Sequence, residues 1–137
     1  MQKFLEFGRK WWPSVIVLAA ILWLTLAPHP VGDTEIELFP GADKLVHAIM
    51  MGGLAFMLLF DYSRKGTWRN FRRIPPRITF ITAFCCIFFS LADEWAQGIM
   101  NLGRSSDPLD LVADIFGIIF ASVIAGPVIR CLPFLKK

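Results

Sequence analysis

Residues 109–129, LDLVADIFGIIFASVIAGPVI, decide the fold. These 21 residues carry only two charges, Asp110 and Asp114, both near the start of the run. Wound as a helix, the run is about 32 Å long, enough to cross the hydrocarbon core of a bilayer. Such a span needs partners, and three more apolar runs precede it. Residues 78–100 form the clearest, and residues 11–27 form another, behind a basic start. Residues 43–60, DKLVHAIMMGGLAFMLLF, are shorter and carry His47 near the front, but they reach across if the first turn includes Asp43. The expected fold is therefore all-α: one membrane domain over residues 1–137, built as a bundle of four transmembrane helices. The first run lacks a small-x-small cleavage site and meets Pro28 and Pro30, so it reads as an uncleaved signal-anchor.

Composition agrees. Of 137 residues, 55% are apolar and 18% charged, with mean hydropathy +0.56, which leaves too little polar surface to coat a soluble domain of this size. Three cysteines exclude a disulfide scaffold, and their spacing suits neither a zinc site nor a redox pair. The net charge of +3 does not point to nucleic acid, because its placement has another explanation. Twelve of the 14 basic residues lie before the first span, between the second and third, or after the fourth. Only Lys44 and Arg104 fall on the other side. By the positive-inside rule both termini and the 61–77 loop are expected in the cytoplasm. That loop interleaves Trp68 and Phe71 with arginines; it sets topology, and docking onto anionic lipid is the sharper alternative.

Charges within spans are costly, about 2.5–3.5 kcal/mol each at mid-span on insertion scales, so they are the informative residues. Asp43 and His47 are four apart and share a helix face, as do Asp110 and Asp114. Asp93 and Glu94 are followed by Gln97, and Arg104 lies in the next short loop. Gly117 and Ala121 extend the Asp110–Asp114 face as a stripe of small residues that lets a neighbouring helix approach. All eight polar groups (Asp43, His47, Asp93, Glu94, Gln97, Arg104, Asp110, Asp114) fall at the outer end of their helices, where a bundle can gather them into one pocket. With Asp107 the acids number six, against Lys44, Arg104 and His47. Such an excess must face water, hold protons or bind a cation. The expectation is a wet cleft with an acid that keeps its proton or a bound divalent ion. Plainer readings stand beside this one: Asp107 as N-cap before Pro108, Asp43 as a cap after Pro40-Gly41, Gln97 as an interhelical bridge, His47 solvated at the interface.

Taken together, Asp43-Lys44-x-x-His47, Asp93-Glu94-x-x-Gln97, Arg104, Asp110 and Gly117 resemble the VanZ-like family of small bacterial membrane proteins, over nearly the whole chain. Many members carry Asn where this chain has Asp114. The resemblance implies a multi-pass protein of the bacterial inner membrane, and it implies a link to the cell envelope and to antibiotic resistance of the teicoplanin type.

Three roles remain open on the residues. The pocket binds a lipid head group, a lipid-linked cell-wall precursor or a cation. Alternatively, His47 and its acids perform acid–base or metal-assisted hydrolysis of a lipid-linked substrate, although no Ser or Cys nucleophile motif lies nearby. Or the cluster only fixes helix register. A transport path is not indicated, because the inner halves of the spans are almost devoid of polar groups.

Overall fold

The computed structural model describes residues 2–26, 41–64, 73–100 and 107–131, with side chains from residue 10 onward. It contains four helices: α1 (Gln2–Leu26), α2 (Ala42–Ser63), α3 (Pro76–Met100) and α4 (Pro108–Cys131). No strand occurs among the described residues. α2, α3 and α4 are long and apolar enough to cross a membrane, and α1 contributes a shorter apolar segment, Lys10–Leu26. The expected all-α bundle is thus the observed one; α2, α3 and α4 extend their apolar runs by a few residues, and α1 begins well before its run. The start of α2 differs from expectation. Gly41, in the left-handed region at φ 86°, occupies the N-cap, and no side chain caps the helix. Asp43 lies within the first turn instead, because only glycine enters that conformation without strain.

The bundle is inside-out relative to a soluble protein. Phe80, Phe84, Phe88 and Trp95 form an exposed stripe along α3, whereas Ser90, Asp93, Glu94 and Gln97 of the same helix are buried. In water this arrangement would be untenable; in lipid the apolar face meets its own kind and the polar face finds partners inside.

α2 and α4 make the most intimate pair, and the cause is a row of small residues. A Cβ on Gly52 would come within 2.8 Å of the Gly117 carbonyl oxygen, and one on Gly117 would collide with the Ala48 backbone. The two backbones touch because these positions lack side chains. Gly53, one residue on, has open space where its Cβ would be. Ile21, Met51, Leu54, Ala55, Cys86 and Ile118 fill the centre of the bundle between all four helices.

The apolar segment of α1, Lys10–Leu26, is held near both of its ends by hydroxyls bonded to buried carboxylates. At one end, Asp61 of α2 accepts from the Ser14 amide at 3.1 Å and the Ser14 hydroxyl at 2.7 Å. Arg64 lies 3.3 Å from Asp61 and also donates to the Lys10 carbonyl. The sequence assigns Arg64 to the basic loop, but here it is buried in the bundle, since its guanidinium can reach both an acid and a backbone carbonyl of α1. At the other end, the Thr25 hydroxyl sits 3.0 Å from Asp93 of α3 and 2.9 Å from the Ile21 carbonyl.

Candidate functional site

The polar groups singled out by the sequence gather where α2 and α4 begin and α3 ends. The parallel start of α2 and α4 brings Lys44 and His47 against Asp107, Asp110 and Asp114. The antiparallel α3 delivers Asp93, Glu94 and Gln97 to the same level.

At the rim, Lys44 bridges three acids: Asp107 at 2.9 Å, Asp43 at 3.1 Å and Asp110 at 3.2 Å. This rim is partly open, with side-chain exposures of 60% for Asp43, 38% for Asp107 and 31% for Lys44. Asp107 caps α4 as expected, accepting from the Leu109 amide at 2.9 Å. That bond first, and Lys44 second, hold its carboxyl below the ordinary carboxylate range. Its cap therefore stabilises fully above the ordinary carboxylate pKa and is lost as pH falls through the lower folded value.

One turn deeper, His47 of α2 lies among acids from α3 and α4. Its Nε2 is 3.9 Å from Asp110 Oδ2. Its Nδ1 is 3.3 Å from Asp114 Oδ1 and 4.0 Å from Glu94 Oε1. Asp114 is almost wholly enclosed, at 1% exposure, and its other oxygen accepts from the Ser90 hydroxyl at 2.5 Å. Asp114 Oδ1 and His47 Nδ1 are both buried and neither makes a hydrogen bond. One ligand atom each of His47, Glu94 and Asp114 lies within 4.8 Å of the others.

Asp93 points elsewhere. Its two oxygens accept from Thr25 and, at 3.0 Å, from Gln97 Nε2, so this pair ties α1 to α3. Arg104, expected to balance the acids, lies outside the described residues, as do residues 65–72 of the basic loop. The expected wet cleft is not what the packing gives. His47, Asp93, Glu94, Gln97, Asp110 and Asp114 are all buried, because α2 and α4 close against each other at Gly52 and Gly117. Bulk water reaches these four acids only sparingly, so protons, neighbouring bases or a cation must supply much of their compensation. Ser90 and Thr25 escaped the sequence reading. Ser90 could have been found, since it precedes Glu94 by four and Gln97 by seven on one face. Thr25, a polar residue in an apolar run, was a weaker signal.

Beside the cluster, an apolar groove of about 570 Å³ runs between α2 and α4. Leu45 and Ala48 lie at its start, Gly53 and Phe56 along it, and Phe120 and Ile124 opposite.

A family model described as VanZ/LLP1 matches residues 8–130. The chain belongs to the VanZ/LLP1 family. The match spans all four helices, so the fold and polar cluster described above fall within the VanZ/LLP1 region. Comparisons with curated proteins and with solved structures give no match.

Proposed function

We propose that this protein is a VanZ/LLP1 protein of the bacterial inner membrane that binds a membrane amphiphile, either a phospholipid or a lipid-linked cell-envelope precursor. The observation that carries this reading is a juxtaposition. The Lys44 bridge to Asp107 and Asp110 spans the same two helices whose apolar groove begins at Leu45. A charged rim at the end of an apolar track matches a molecule with a polar head and a hydrocarbon chain. The start of α2, which no side chain caps, favours a phosphate there, and the rim acids favour an amine. If that ligand is a cell-wall precursor, its capture would change how a glycopeptide aimed at such precursors reaches them.

The proposed orientation puts the polar end outside and both termini in the cytoplasm, supported by the twelve basic residues at the opposite end. In a background lacking Cys85, Cys86 and Cys131, an impermeant thiol reagent added to whole cells should label a cysteine at position 35 and spare one at position 69. The reverse pattern would overturn the orientation.

Native mass spectrometry of detergent-purified protein tests the binding. Wild-type protein should retain one amphiphile. Gly53→Leu should lose it, since the new side chain enters the groove through space that holds no other atom. The same change removes a helix glycine, so stability should hold or rise by up to about 1 kcal/mol. Retention unaffected by Gly53→Leu would refute the groove as the chain's track.

A further inference from the structure

We infer that His47, Glu94 and Asp114 form a binding site for one first-row divalent metal ion, and that Asp110 and Ser90 orient its ligands. This site stands whether or not an amphiphile binds at the rim.

Two independent observations meet here. The first is the donor geometry. One imidazole nitrogen and two carboxylate oxygens, from three different helices, lie within 4.8 Å of one another. Metal–ligand bonds of about 2.0–2.2 Å in a tetrahedral site place neighbouring donors about 3.3–3.6 Å apart. His47 Nδ1 and Asp114 Oδ1 are already at 3.3 Å. The Glu94 carboxylate, at 4.0 Å from the same nitrogen and within 4.8 Å of the Asp114 donor, must swing inward by about 1 Å, within the reach of its side chain. The second observation is the orphaned atoms. His47 Nδ1 and Asp114 Oδ1 face each other at 3.3 Å but are buried and make no hydrogen bond, whereas the other Asp114 oxygen is bonded to Ser90. Leaving such atoms bare is costly, whereas an ion between them satisfies both.

The surroundings fit the same reading. A ligating histidine usually gives its second ring N–H to a carboxylate, which fixes the ring. His47 Nε2 faces Asp110 Oδ2 at 3.9 Å, and Lys44 holds the other Asp110 oxygen at 3.2 Å. Ser90 holds the far oxygen of Asp114, so that Oδ1 alone is directed at the imidazole. A mixed nitrogen and oxygen donor set favours Zn²⁺, Fe²⁺ or Mn²⁺ over Ca²⁺. Three protein ligands leave a coordination position for water or another oxygen.

The test uses full-length protein in detergent, freed of any affinity tag and stripped with a chelator. Titration with Zn²⁺ should give one ion per chain, and Co²⁺ should produce visible ligand-field bands of nitrogen–oxygen coordination. His47→Gln, Glu94→Gln and Asp114→Asn should each weaken Zn²⁺ binding at least tenfold. Asp110→Asn, a positioning change, should weaken it about 10- to 100-fold. Cys131→Ser, an exposed residue at the opposite end of α4, should leave it unchanged. If a variant fails to fold, the Co²⁺ spectrum of the wild type still decides. Wild-type protein that takes up neither ion, or binding unchanged in His47→Gln and Asp114→Asn, would overturn the site.

Discussion

Gly117→Ala should destabilise the bundle by about 3 kcal/mol, the upper end of the cost of overpacking. The added methyl group collides with the backbone of Ala48, which cannot rotate away as a side chain would. α2 and α4 must separate, and their separation carries His47 away from Asp110 and Asp114. The same change at Gly53 or Gly126 meets no atom within 4 Å and should be neutral or slightly stabilising. Unfolding in a denaturing detergent, followed by circular dichroism, distinguishes these cases. A Gly117→Ala protein as stable as wild type would mean that α2 and α4 do not pack as described.

Asp61→Ala should cost about 3–5 kcal/mol, because it strands a buried guanidinium. Asp61 is fully enclosed and Arg64 nearly so, and the Ser14 hydroxyl and amide lose their acceptor together with Arg64. Replacing Arg64 as well should cost less than the sum of the two single changes, since the second removes the charge that the first left unpaired. Strictly additive losses in the same unfolding assay would show that the two groups act independently and that α1 is not held through them.

The four spans were legible because a bilayer tolerates few sequences: long apolar runs leave little room for another reading. The convergence of His47, Glu94, Asp110 and Asp114 was legible for the same reason, as charges in such runs must face one another. What the sequence hides is register. Gly52 and Gly53 are adjacent and chemically identical, yet one presses on the backbone of α4 and the other faces open space, a difference set by about 100° of helix rotation. Asp93 and Glu94 divide in the same way, one turned to Thr25 and Gln97, the other to His47. Small hydroxyls such as Ser90 and Thr25 give little signal because they fit an apolar helix at little cost. The expectation of a wet cleft failed at a specific place: charge counting cannot see that Gly117 lets the helices close over the acids.

The central claim is that the charged rim and the apolar groove serve one amphiphile. The most direct measurement is a crystal structure of the protein purified from native membranes and grown in a lipid mesophase. The account predicts elongated density in the groove past Gly53 and Phe56, ending in a compact head against Lys44, Asp43 and Asp107. A groove filled by a helix of a second copy, or chain density with its head at the Asp61–Arg64 end, would contradict it.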